Sequence, residues 1–355
     1  MLSAITTVKV LAPAAITFFI GMISTPIVSH YLYKYKVWKK RGGKVALDGS
    51  SANEFNRLHA DLETKTPRMG GIVIWGSVFL TTFVLSSISH FFPESRASTI
   101  DYFSRTETWI PLFTMGVGAL VGFINDLLDI TGSGEGLALR YRLAIICFLS
   151  SFIGWWFWAK LAVTAIDIPF GTPFEIGWLI VPFFVCVSIF LYASGVIDGI
   201  DGLSAGVFAS IFASYTVIAF VQDQISLAAF CASVVGGLLV FLWFNIPPAR
   251  FYMSETGTMA ITLTIAVVAF MTDNLGGGIG ITVLPIIAAL LVATVASNIL
   301  QVLYKRLFGK KLFRIAPLHH HFEAIGWPGH KVVMRYWVLS IVFAFSGVIL
   351  ALLAL

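Results

Sequence analysis

The residues of this chain whose types and spacing could do chemistry are the carboxylates Asp126, Asp129, Asp198, Asp201 and Glu255 and three consecutive histidines, His319, His320 and His321. Asp126 and Asp129 are three residues apart, so on a continuing helix they share one face. Two carboxylates on one face suit a hard cation such as Mg2+, which takes oxygen ligands and leaves positions for water and phosphate; a polar helix end is the plainer reading of the pair. The run Asp198-Gly199-Ile200-Asp201-Gly202 has two Asp-Gly steps in five residues, which puts carboxylates where the backbone turns sharply. Asp201 also reads as a helix N-cap, which leaves Asp198 unexplained. Glu255, in Met253-Ser254-Glu255-Thr256-Gly257-Thr258, reads equally as a partner of a helix dipole or as part of a ligand-approach loop. In Lys65-Thr66-Pro67-Arg68-Met69-Gly70-Gly71 the proline and glycines break any helix, so Lys65, Arg68 and the backbone can come close to an anion. The histidines sit in Pro317-Leu318-His319-His320-His321-Phe322-Glu323. Adjacent residues rarely aim three ring nitrogens at one metal, and no cysteine is near, which argues against zinc even with His330 as a fourth ligand. Pro317 and Trp327-Pro328-Gly329 stiffen the flanks, and a rigid, aromatic-flanked histidine loop fits an anionic or sugar-bearing ligand.

The elements that must position these groups are membrane spans. Hydrophobic residues make up 58% of 355 positions and charged residues 12%, with mean hydropathy +0.89; soluble domains are about a quarter charged. Apolar runs near 8–33, 70–91, 109–125, 141–165, 176–194, 203–221, 225–244, 257–273, 279–303 and 335–355 are each long enough for a spanning helix, and they lack the alternation of a barrel. The expected architecture is an all-α integral membrane protein of about ten transmembrane helices, a single polytopic domain over 1–355. The first span is too long for a cleavable signal. Cys147, Cys186 and Cys231 lie inside spans and read as small buried hydrophobes. Lysine and arginine set the orientation: nine in 34–68 and seven in 305–335, with Arg140, Arg142 and Arg250 on the same side, against Lys9, Arg96, Arg105 and Lys160 opposite. Both termini are then outside, and every acidic motif falls at the cytoplasmic face. The net charge of +5 mostly reflects this bias and attraction to anionic membrane lipids; no soluble basic domain exists to bind nucleic acid. The spans hold almost no ionisable groups, unlike a transporter with charges along its pathway. The opposite-side segments Gln222-Asp223-Gln224 and Asp273-Asn274-Leu275-Gly276-Gly277-Gly278 read as plain turns.

These motifs together resemble the phospho-N-acetylmuramoyl-pentapeptide transferase family, within the polyprenyl-phosphate N-acetylhexosamine-1-phosphate transferase superfamily. The resemblance covers nearly the whole chain. It is most specific at 317–323, followed by Gly326-Trp327-Pro328 and Lys331-Val332-Val333-Met334-Arg335, which looks like the family's triple-histidine loop. Residues 66–71 look like its Thr-Pro-x-Met-Gly-Gly motif, and Asp198-Gly199-Ile200-Asp201-Gly202-Leu203 is similar to its Asp-Gly-Leu-Asp-Gly-Leu motif. Three stretches depart from the pattern. Asn125-Asp126 stands where the family has two aspartates, Gly195 where it has asparagine, and Met253-Ser254-Glu255-Thr256-Gly257-Thr258 where it has Met-Gly-Asp-x-Gly-Ser. The resemblance implies transfer of phospho-MurNAc-pentapeptide from UDP-MurNAc-pentapeptide to undecaprenyl phosphate in a bacterial inner membrane, with release of UMP and with Mg2+ as cofactor. It implies Asp126, Asp198 and Glu255 as metal and catalytic carboxylates, with Asn125 in the position of a catalytic aspartate. Lys65, Arg68, Asp201, His319, His320 and His321 would bind substrate. A homodimer is permitted. Two other outcomes stay open at this point: a sister-branch transferase using UDP-GlcNAc or a similar UDP-sugar, and a silent homologue that only binds nucleotide-sugar or lipid.

Overall fold

The computed structural model describes residues 4–40, 64–104, 106–132 and 136–355. Arg41, Lys44, Arg57 and Arg105 of the charge argument lie outside the described residues. Among the described residues the regular structure is helical apart from one hairpin of two two-residue strands. The α-helices among the described residues are α1 (Ala4–Lys34), α2 (Ile72–Phe91), α3 (Trp109–Thr131), α4 (Leu139–Leu161), α5 (Ile180–Ser194), α6 (Leu203–Val221), α7 (Ile225–Asn245), α8 (Ser254–Met271), α9 (Gly280–Ile287), α10 (Ala289–Phe308), α11 (Leu318–Ala324) and α12 (Gly329–Leu353). Between α4 and α5, β1 (Ala165–Ile166) pairs antiparallel with β2 (Phe174–Glu175). In hydrocarbon every backbone N–H and C=O needs an internal partner, which leaves helices as the way for these apolar runs to span.

Among the described residues nine helices are long and apolar enough to cross a membrane, and α9 with α10, bent by 69° at their junction, make a tenth. The ten expected spans are therefore present, with the ninth broken. Two boundaries move functional residues. Helix α3 runs on to Thr131 rather than ending at 125, so Asp126 and Asp129 do lie on a continuing helix. Helix α8 starts at Ser254, which puts Glu255 in its first turn rather than in a loop.

Helix α8 is the axis of the molecule. Every residue in it except Glu255 is buried, and it packs on α2, α3, α5, α6 and α9. Helix α1 packs along α7, α6 along α7 and α12, and α4 along α5. Of the cysteines, Cys231 is buried, Cys147 partly buried and Cys186 exposed. The expectation that all three are buried fails for Cys186, because α5 turns it to the outside of the bundle.

The segments read as plain turns at the far end are not plain. Asp273 is fully buried and accepts the N–H groups of Asp167 (3.0 Å) and Ile281 (2.8 Å). Gln222 Nε2 donates to the Thr272 carbonyl (2.9 Å) and Gln224 Nε2 to that of Met271 (3.0 Å). The last carbonyls of a helix and the first N–H groups of the next have no partner within their own helix, and side chains supply the missing bonds here.

Candidate active site

Helix α3 sets the site. A Cβ on Gly118 would stand 2.9 Å from the Met259 carbonyl oxygen, and one on Gly122 would overlap that of Glu255. The two helices thus touch backbone to backbone, the small-residue packing that holds helices together in lipid. Asp126 follows Gly122 by one turn on the same face and meets the start of α8. Its Oδ2 accepts the Thr256 N–H at 2.8 Å, the Thr256 hydroxyl at 2.6 Å and the Ser254 hydroxyl at 2.6 Å. A carboxylate at a helix N-terminus is favoured by the unpaired N–H groups there. The other oxygen, Oδ1, is buried with no hydrogen bond, and the Arg68 guanidinium lies 3.9 Å from it. Arg68 also reaches Asp129 at 3.3 Å, and Lys39 approaches Asp129 at 4.0 Å. One turn of helix therefore carries two carboxylates spanned by one guanidinium.

The Thr66–Gly71 stretch is clasped to the segment before α8. Tyr252 N–H donates to the Pro67 carbonyl (2.8 Å), and Gly70 and Gly71 N–H donate to those of Tyr252 (2.8 Å) and Met253 (3.2 Å). A Cβ on Gly71 would overlap the Gly257 backbone, so this glycine pair is required by close approach. Arg68 is carried inward by the clasp, while Lys65 is exposed at the rim.

Glu255 accepts a bond from Arg142, at the start of α4, at 2.7 Å. Asp198 follows the short turn after α5; its Oδ2 accepts the Ser254 N–H (3.0 Å) and its Oδ1 the Ser204 hydroxyl (2.7 Å). Ser254 thus touches Asp126 through its side chain and Asp198 through its backbone. Asp201 accepts the Ala249 N–H at 3.0 Å, so in this structure it ties two loops together.

The histidine segment is a short helix, α11, rather than a loop, anchored by a bond from Leu318 N–H to the Ser297 hydroxyl (3.1 Å). Neighbouring side chains on a helix point about 100° apart, and the three histidines separate accordingly. His319 and His320 are buried and turn their Nε2 atoms onto Gly199, where a Cβ would lie 2.9 Å and 2.5 Å from them. Glu323 accepts from His320 Nδ1 at 2.7 Å, which fixes that ring. His321 leaves the cluster and accepts the Arg314 N–H at 3.2 Å. Behind the helix, Phe322 stacks on Trp327 at 4.8 Å and Arg335 lies over the Trp327 ring at 4.2 Å.

Asn125 also leaves the cluster. Its Oδ1 accepts the Leu137 N–H at 3.0 Å, so it holds down the start of α4, the helix that supplies Arg142.

Four residues with a part in the site are not among the sequence-predicted ones. Arg142 was counted only as an orientation charge, although a basic residue at the start of α4 is a visible signal. Gly118-x-x-x-Gly122 is a visible small-residue motif that predicts where Asp126 points. Asn245 had no signal. Its Oδ1 accepts the Gly202 N–H (2.8 Å) and its Nδ2 donates to the Phe251 carbonyl (2.8 Å), joining the Asp198–Gly202 turn to the segment before α8. Asn245→Ala leaves two buried backbone groups unpaired, at about 1–3 kcal/mol per group. The expected result is a lowered thermal midpoint in detergent together with weaker activity; an unchanged midpoint would contradict this role.

Comparison with known proteins places the chain in a family. The profile of glycosyl transferase family 4 matches residues 108–273, which holds Asp126, Arg142, Asp198 and Glu255 but stops short of the histidines. Phospho-N-acetylmuramoyl-pentapeptide-transferase of Geobacillus sp. (strain WCH70) is 34% identical over 340 residues, covering 94% of this chain and 95% of that protein. Proteins of the same name from Anoxybacillus flavithermus and Bacillus mycoides are 32% and 30% identical, covering 96% and 95% of this chain and 97% and 96% of theirs. Identity at this level over nearly the whole length, together with the site just described, shows that the chain belongs to the phospho-N-acetylmuramoyl-pentapeptide-transferase family.

Proposed function

We propose that this protein transfers phospho-MurNAc-pentapeptide from UDP-MurNAc-pentapeptide to undecaprenyl phosphate, giving a lipid-linked peptidoglycan precursor and UMP, at the cytoplasmic face of a bacterial inner membrane. The relatives' shared name supports this reading. The observation that carries it is the meeting of Asp126, Asp198 and Glu255 with Arg68, Arg142, His319 and His320 at one end of an otherwise apolar bundle. The inward orientation of that end rests on the lysine and arginine bias.

In the reaction an oxygen of the lipid phosphate attacks the sugar-bearing phosphorus of the donor. The bond from that phosphorus to the bridging oxygen breaks, and UMP leaves with the bridging oxygen and its electron pair. The attacking phosphate is largely ionised near neutral pH and needs no protein base, which accords with Asn125 being spent on the Leu137 backbone. Positioning and charge neutralisation carry most of such a transfer. Arg68 and Arg142 supply guanidinium forks that match phosphate geometry, and His319 and His320 would contact the sugar or diphosphate side of the donor.

The residues fit Mg2+. Asp126 Oδ1 is a buried carboxylate oxygen without a hydrogen bond. Among the described residues no three His, Cys, Asp or Glu side chains form a closed metal site, and Mg2+ needs only one or two carboxylates where phosphates complete its shell. Asp126 would hold it, with Asp198 or Glu255. Once bound, it would neutralise charge on the diphosphate as the bond breaks.

The experiment is to supply donor labelled in its sugar-bearing phosphate to membranes containing the protein and undecaprenyl phosphate. The label should pass into the lipid extract as UMP appears; label that stays water-soluble would overturn the reading.

A further inference from the structure

Ser254 occupies a position that ordinary side chains avoid. Its φ is +54°, in the left-handed region that glycine favours and that costs other L-residues about 1–2 kcal/mol. A serine kept there has to be offset by what its side chain does. The side chain is buried, and its hydroxyl donates to Asp126 Oδ2 at 2.6 Å while accepting the Met69 N–H at 2.9 Å. Met69 is itself left-handed, with φ +64°. One hydroxyl therefore joins the Thr66–Gly71 clasp to the carboxylate of α3, and the same residue's N–H holds Asp198 at 3.0 Å.

The geometry of Asp126 shows what this achieves. All three hydrogen bonds to it converge on Oδ2, and Oδ1 receives none. Two come from Thr256, the next residue but one along the first turn of α8; the third comes from Ser254, at the start of that helix. Two anchors on one carboxylate oxygen fix the rotation of the group, so that the second oxygen is held toward the Arg68 side of the cluster.

We infer that Ser254 is a positioning residue that aims the Oδ1 of Asp126 at a divalent cation. The inference rests on the metal reading given under the proposed function. Groups that orient a metal ligand are commonly worth about 10–100-fold in metal affinity. Ser254→Gly removes the hydroxyl while leaving the N–H to Asp198, and glycine takes the left-handed backbone without strain, so the fold should survive. Ser254→Ala removes the same hydroxyl but keeps the Cβ.

The test is Mn2+ binding to the full-length protein in detergent without substrates, read by the loss of the free-ion electron paramagnetic resonance signal. Mn2+ favours the same oxygen ligands as Mg2+. Parent, Ser254→Gly, Ser254→Ala and Asp126→Asn are compared, with Ser210→Ala as a control, since that hydroxyl pairs with Ser340 and the Val207 carbonyl and bonds to none of the site carboxylates. The expected result is binding weakened about tenfold or more in both Ser254 variants, lost in Asp126→Asn and unchanged in the control. In turnover, the same two variants should need correspondingly more Mg2+ for half-maximal rate while KM for the lipid acceptor stays level. If Asp126→Asn loses binding and both Ser254 variants keep it, the inference is overturned and the metal reading stands. If Asp126→Asn binds as the parent does, the metal reading fails and the inference falls with it.

Discussion

Replacing Asp126 with asparagine should lower the rate of UMP release by about a thousandfold while leaving the helical content intact. The shape of the side chain is kept, and its carbonyl oxygen can still accept from Ser254 and Thr256. What disappears is a negative charge at a carboxylate oxygen that is buried without a hydrogen bond. In its place an amide NH2 would face the Arg68 guanidinium 3.9 Å away. Loss of a single neutral donor that stabilises a transition state already costs about 10²–10³ in rate. Loss of a formal charge that neutralises a breaking diphosphate should reach at least the top of that range. The measurement is steady-state UMP release at saturating Mg2+, with circular dichroism and a thermal midpoint as checks on folding. Turnover within about threefold of the parent, under about 0.7 kcal/mol of barrier, would remove Asp126 from the mechanism.

The second large effect is expected from a single methyl group. Gly199→Ala would place a Cβ 2.5 Å from His320 Nε2 and 2.9 Å from His319 Nε2. Neither ring can swing away freely: both are buried, and His320 is held by Glu323. Either α11 shifts outward or the turn carrying Asp198 shifts inward. A displacement of about 1 Å in a catalytic constellation can cost about 100-fold in rate, and that is the loss expected in kcat/KM for the donor. A Gly199→Ala enzyme with parental kinetics would show that α11 does not pack on the Asp198 turn during catalysis.

The parts of this molecule that were legible in the sequence follow one-dimensional rules. Ten apolar runs correspond, among the described residues, to nine spanning helices and a bent pair because hydrocarbon thickness and backbone satisfaction leave few alternatives. The pairing of Asp126 and Asp129 on one face was readable from their three-residue spacing, and Arg68 spans them as that spacing allows. Other features depend on where side chains point within an element. Three histidines in a row look equivalent on paper, yet a single helical turn sends His319 and His320 to Gly199 and His321 to the Arg314 backbone. Asn125 and Asp126 are neighbours in sequence, and the same rotation sends one to Leu137 and the other to α8. Asp273 was read as part of a turn because turns and buried helix-end anchors share the same residue types; only its burial and its bonds to Asp167 and Ile281 separate the two. The same is true of Ser254, whose importance lies in a backbone angle.

The most direct test of the account is UMP release by the purified protein in detergent, with Mg2+, undecaprenyl phosphate and either UDP-MurNAc-pentapeptide or UDP-GlcNAc in parallel reactions. The account predicts sustained turnover with the muramoyl donor, dependent on the lipid, and little with UDP-GlcNAc. Turnover with UDP-GlcNAc alone, or with neither donor, would contradict it.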